Sequence, residues 1–169
     1  MIIKNFETNK INTEKFKYFL FYGNNKGHIE ETIRTNFIKK LNLNIYNYDE
    51  SEIINDKTVF FNEVLNNSFF EKEKIIIISR ITDKSKNILE EIREKKVNDI
   101  IFIFVANILE KKSKLRKFFE ENDDTVCIAF YPDNTLTLSR LAGNFFKDKK
   151  ISISQSNINF IINKCNEDR

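Results

Sequence analysis

The chain has 169 residues, 28 basic and 25 acidic side chains and a net charge of +3. It holds 17 phenylalanines but three glycines, one proline, one histidine, two cysteines and no tryptophan, where average usage would supply about 12 Gly and 8 Pro. That excludes collagen-like, linker-like and Pro/Gly-rich disordered classes, and a His/Cys zinc site would use nearly every ligand present, so no metal or cofactor is expected. Ile, Lys, Asn and Phe together exceed half of the residues, an excess that fits an AT-rich genome and says little about function. A charge of +3 is too small to argue nucleic-acid binding by itself. No apolar run approaches the ~18 residues that span a membrane, and the first residues lack the apolar stretch of a signal peptide. Cys127 and Cys165 are far apart and read as buried or incidental thiols, so a cytoplasmic location is expected.

In chain order, residues 17–22 (KYFLFY) form an apolar run that ends at Gly23 and predicts a buried strand. Residues 27–41 place Ile29, Ile33, Phe37 and Leu41 at helical spacing, with Glu30 and Glu31 near the start. Residues 43–48 predict a second strand, and residues 49–67 a short helix or two. The four isoleucines of 74–79 (KIIIIS) need cover on both faces, which predicts a central strand. A helix is expected over 82–96 with Ile88, Leu89 and Ile92 buried, then another central strand over 99–106. Ser113 caps a helix that buries Leu115, Phe118 and Phe119, and 125–130 (TVCIAF) is a further strand. After Tyr131-Pro132-Asp133 the period changes: Leu138, Leu141, Ala142 and Phe145 form one helical stripe, Ile158, Ile161, Ile162 and Cys165 another. Alternating strands and helices predict an α/β fold with a parallel sheet. The two helices after Pro132 predict a small second domain that the chain leaves incomplete, as in a piece of a longer protein.

The first strand, a short loop and a helix make the place for a phosphate loop. A working one reads Gly-x-x-x-x-Gly-Lys-Ser/Thr, with backbone amides on the phosphates, Lys on the β/γ-phosphates and a hydroxyl on Mg²⁺. Here the segment is Gly23-Asn24-Asn25-Lys26-Gly27-His28-Ile29. The glycine spacing is one short, and His28 and Ile29 stand where Lys and Ser/Thr are needed. A plain β–α turn is the simpler reading; residual nucleotide binding is the other. The isoleucine strand, which would carry the Mg²⁺-holding carboxylates, ends Ile77-Ile78-Ser79-Arg80. Two independent parts of ATP chemistry are thus missing. Asp49, Glu50 and Glu52 read as a solvated turn rather than as an acid/base pair. Phe69-Phe70 sits in an otherwise polar stretch before the isoleucine strand. The pair either fills the core edge or forms an exposed hydrophobic wedge for a partner pocket. Lys111, Lys112, Lys114, Arg116 and Lys117 form a basic run, which reads as a solvated helix start or as a contact for DNA or an acidic partner.

Taken in order, KYFLFYGNNKGHIEETI, NIYNYDESEI, NNSFFEKEKIIIISR, DIIFIFVAN, LEKKSKLRKFFE, FYPDNTLTLSRLAGNFF and ISISQSNINFIINKCNEDR resemble the delta subunit of the bacterial DNA polymerase III clamp loader. The Tyr-Gly-x-Asn start, the Ser-(Leu/Phe)-Phe motif, the Lys-Leu-Arg-Lys-Phe-Phe helix and the Tyr-Pro-Asp junction carry the likeness. The resemblance implies an AAA+-like, P-loop-like α/β domain with a degenerate nucleotide loop over residues 1–132. A partial helical domain over 133–169 and a collar domain missing from this chain complete the expectation. It further implies a subunit without a catalytic site that binds and opens the sliding clamp, the beta subunit, during DNA replication. The other loader subunits, gamma/tau and delta prime, are implied partners, with DNA met through the assembled loader. The family's clamp contact falls on Ser68, Phe69 and Phe70, with Phe69 in place of the usual Leu. Gly23, Asn24, Asn25, Lys26 and Gly27 become a phosphate loop not expected to bind ATP. The alternative expectation is a P-loop-like nucleotide hydrolase with an unusual loop.

Overall fold

The computed structural model describes residues 1–65, 73–95 and 97–165. Its strands are β1 (Ile2–Lys4), β2 (Tyr18–Gly23), β3 (Asn44–Asp49), β4 (Lys74–Ser79), β5 (Ile100–Ala106) and β6 (Thr125–Phe130). They form one sheet in the order β1-β6-β2-β5-β4-β3, and every pair is parallel. Parallel pairing needs crossovers, and these are α1 (Lys26–Ile33), α3 (Glu50–Asn55), α4 (Lys57–Leu65), α5 (Lys86–Glu94) and α6 (Lys114–Glu121). A π-helical stretch, Arg34–Ile38, and a last α-turn, α2 (Lys39–Leu41), extend α1. The wider turn seats Phe37, which is fully buried. Asn42 then stops the helix in the left-handed region at φ 50°, where Asn substitutes for glycine.

Alternation along the strands divides the apolar residues between two layers. Tyr18, Leu20, Ile76, Ile78, Phe102 and Phe104 face one layer, where α3 to α6 bring Ile53, Phe60, Leu89, Ile92, Leu115 and Phe119. Phe19, Phe21, Ile75, Ile77, Ile101 and Ile103 face the other, covered by Ile29, Ile33 and Phe37 and by Ile11 and Phe16 of the N-terminal segment. Phenylalanine fills space where glycine-poor strands leave room: Phe37 meets Phe19 and Phe21 edge-on at 5.0 and 5.9 Å. Such pairs each add about 0.5–1.5 kcal/mol beyond area burial.

The expected strands and helices are present within a few residues. The helix expected over 82–96 begins as a 3₁₀ turn, Asp83–Ser85, before α5. Strand β1 has no counterpart in the sequence reading. It is three residues long and only Ile3 points inward, so neither length nor alternation marks it; its pairing with β6 makes it a strand. Past Pro132, α7 (Thr135–Asp148) and α8 (Gln155–Cys165) pack on each other through Leu138, Ile158 and Ile162.

Candidate functional site

All strands run the same way, so the loops after β2, β3, β4, β5 and β6 gather at one edge of the sheet, where ligands of open parallel sheets bind. The loop after β2 is the expected phosphate position. Gly23 pairs with Phe130 across β2 and β6 and has φ +139°. A Cβ there would lie 2.0 Å from the Phe130 carbonyl oxygen, so the two strand exits are pressed together. Four amides of the loop and the first turn of the helix are already engaged. Asn25 N–H donates to Phe130 O at 3.4 Å and Lys26 N–H to Asn24 O at 3.1 Å. His28 N–H donates to Asn25 Oδ1 at 3.0 Å and Ile29 N–H to Asn25 O at 3.1 Å. A phosphate cradle needs such groups pointing at the ligand; here they point at the protein. Lys26 is exposed at the first position of α1.

At the end of β4, Arg80 takes φ 59° and pairs with Asp49. Asp49 itself caps α3 in a reciprocal box with Glu52. The next residue corrects the sequence reading of this turn as solvated. Glu50 is buried and accepts from Thr82 N–H at 2.7 Å, Thr82 Oγ1 at 2.9 Å and Ser85 Oγ at 2.6 Å. It fastens the loop after β4, and a buried carboxylate requires such partners. The Asp49-x-x-Glu52 spacing marks the cap in the sequence. No sequence signal marks Glu50, because its partners lie over 30 residues away.

Ser68, Phe69 and Phe70 lie outside the described residues. They connect α4 to β4, and the two elements are tied to each other on either side of them. Lys74 at the start of β4 is buried, with Nζ donating to Glu63 O at 3.4 Å and lying 5.6 Å from the Tyr46 ring centroid. Tyr48 donates to Glu63 Oε2 at 3.1 Å.

Of the basic run, Lys111, Lys112, Lys114 and Lys117 are exposed, and Lys112 pairs with Glu110 at 2.9 Å. Arg116 is turned inward: it pairs with Glu120 at 2.7 Å and lies 5.3 Å from the Tyr22 ring centroid. Ser113 caps α6 by accepting from Arg116 N–H at 3.2 Å and donates to Asp83 at 2.6 Å. Asp83 also accepts from Leu115 N–H at 2.9 Å, joining the turn before α5 to the start of α6. Burial opposes ionisation of Asp83, but the Ser113 hydroxyl and the Leu115 and Lys114 amides outweigh it and hold the carboxyl below its ordinary 3.8. This stabilisation is therefore complete above that ordinary value and lost as pH falls through the lower folded one. Ser113→Ala should cost about 1–2 kcal/mol near neutral pH. Denaturant melts from about pH 7 to about pH 3 should show the gap from wild type narrowing as Asp83 protonates.

A groove of about 590 Å³ runs between α1 and the α7–α8 pair, with Glu30 and Arg34 on one wall and Leu141, Phe145, Phe146 and Ile161 on the other. Among the described residues no cluster of three or more His, Cys, Asp and Glu is placed to hold a metal. Nor is any described helix long and apolar enough to cross a membrane. Cys127 is buried in the core, which pushes its thiol up to about 12, and Cys165 is exposed.

A curated relative, the probable DNA polymerase III subunit delta of Rickettsia prowazekii, is 27% identical over 151 residues, which is 87% of this chain. Among solved structures, the Bacillus subtilis DNA clamp loader delta protein matches 94% of this chain with a TM-score of 0.58 and 17% identity. Both relatives are delta proteins, one named for DNA polymerase III and one for a DNA clamp loader. The likeness drawn from the sequence is to this same family, and the six-stranded parallel sheet with its helices is the delta fold. Drosophila ORC bound to DNA matches 81% of the chain with a TM-score of 0.50 and 13% identity, a likeness of fold. No protein-family model matches the chain. The chain spans 44% of the Rickettsia delta relative and 51% of the Bacillus delta structure, about half of each.

Proposed function

We propose that this chain is the clamp-gripping part of a clamp-loader delta subunit, one that binds and opens the sliding clamp and hydrolyses no ATP itself. The observation that carries the reading is a delta fold whose phosphate loop is closed on itself. The amides of Asn25, Lys26, His28 and Ile29 are bonded within the protein, and β4 ends on Ser79, followed by Arg80. In this reading Ser68, Phe69 and Phe70 form the clamp contact, as the family resemblance implies. Residues 1–132 are the AAA+-like domain, and 133–169 open a helical domain. Gamma/tau and delta prime are the partners of the full protein. The exposed lysines 111, 112, 114 and 117 are the surface left for DNA or a partner. A bound clamp opens only if the subunit favours the open interface over the closed one.

Titration of the chain into its cognate sliding clamp without nucleotide tests the reading. Saturable binding is expected, with no heat of binding and no turnover when Mg²⁺–ATP is added to the chain alone. Failure to bind the clamp would overturn it, and tight Mg²⁺-dependent ATP binding with turnover would restore the hydrolase alternative.

A further inference from the structure

The loop that does not cradle a phosphate holds something else. Asn25 is 8% exposed, and its side-chain donors and acceptor are committed. Oδ1 accepts from His28 N–H at 3.0 Å, which caps α1. Nδ2 donates to the Tyr131 carbonyl at 3.1 Å and to Asp133 Oδ2 at 2.8 Å. The orientation of the amide follows from its partners. A carbonyl and a carboxylate only accept and a backbone N–H only donates, so the flipped amide would lose all three bonds. The bond to Asp133 is charge-assisted and hence among the stronger kind.

These bonds reach over 100 residues along the chain to the turn that leads into the helical pair. Pro132 stands between the two acceptors and fixes its own φ, so the turn is pinned on both sides of a stiff residue. The next residue, Asn134, caps α7 reciprocally with Thr137, both bonds at 2.9 Å. No loose residue therefore separates the pinned Asp133 from the start of α7. Helix α8 follows α7 through the Leu138, Ile158 and Ile162 cluster and the Gln155–Ser139 bond at 3.0 Å.

We propose that Asn25 is a positioning residue that locks the α7–α8 pair against the sheet without any ligand. The lock runs from the vestigial phosphate loop through Asp133 to the capped start of α7. It makes the orientation of the helical pair a built-in property of the chain, and the groove between α1 and α7–α8 keeps its shape because of it. The proposal does not rest on clamp binding, and the following readout contains no clamp, so the two readings fail separately.

Asn25→Asp separates the lock from the helix cap. Aspartate caps a helix as well as asparagine does, so α1 stays capped, but both donors are lost and a carboxylate faces Asp133. Spin labels on Cys165, which is exposed, and on an introduced Asn47→Cys on the exposed edge strand β3 report the spacing of α8 from the sheet. Cys127 is buried and stays unlabelled. The otherwise unaltered chain should give one narrow distance distribution by pulsed electron resonance. Asn25→Asp should lose it to a broad one while circular dichroism stays unchanged. Asp133→Ala attacks the lock from the other end, keeps the Asn25 cap of α1 and should broaden the distribution too. Combining Asn25→Asp with Asp133→Asn returns a donor facing an acceptor and should narrow it again. Unchanged distances in both single variants, or no recovery in the combined one, would overturn the proposal.

Discussion

Clamp affinity should fall at least about a hundredfold when Phe69 and Phe70 are both replaced by alanine. Aromatic anchors that insert into an apolar pocket typically lose roughly 2–4 kcal/mol each on truncation. Such losses are not additive, so the hundredfold figure, about 2.7 kcal/mol, is the lower bound. Calorimetric titration of the clamp with the wild type, each single variant and the double variant gives the numbers. Phe69→Leu, which restores the residue usual in the family, should keep most of the affinity. Circular dichroism on the same samples checks that the sheet and helices persist. Unchanged affinity in the double variant would remove these residues from the contact while leaving the fold assignment in place.

Gly23→Ala should destabilise the protein by about 3 kcal/mol or more. Two effects combine at this position. The backbone sits at φ +139°, where side chains are strained, and the added Cβ would lie 2.0 Å from the Phe130 carbonyl oxygen. The obstacle is backbone, so relief requires parting β2 from β6 at the register where Gly23 meets Phe130. For a chain of this size the melting temperature should drop by about 6–12 °C. Gly143 is the internal control. It lies in α7 with nothing within 4 Å of an added Cβ, so Gly143→Ala should stabilise by up to about 1 kcal/mol. A Gly23→Ala protein that melts with the wild type would mean that the two strand exits are not in contact.

The same loop shows how far a sequence reaches. That Gly23–Gly27 lacks the spacing, lysine and hydroxyl of a phosphate loop is visible in seven consecutive letters. That the Asn25 N–H is engaged is not, because its acceptor, the Phe130 carbonyl, lies over 100 positions away. The pair Phe69-Phe70 is legible only as two aromatic residues in a polar stretch; the family resemblance, and no local pattern, is what proposes it as a clamp contact. The basic run is legible as charge, yet the direction of Arg116 depends on Glu120 and on Tyr22 of another strand.

The amino-acid sequence alone determines the central strands and the helices that cover them. Continuous isoleucine and phenylalanine runs demand cover on both faces, helical stripes supply it, and Ser113 marks a helix start, because periodicity and capping are local. The tertiary structure alone decides that Ile2–Lys4 is a strand, that Glu50 is buried among Thr82 and Ser85, and that Asn25 joins the loop after β2 to the turn after β6. Each of these depends on segments that meet only when the parallel crossovers bring all strand ends to one edge of the sheet. No spacing along the chain encodes that meeting, so a loop with no visible cradle in the sequence becomes, in the fold, the point where the two parts of the molecule are tied together.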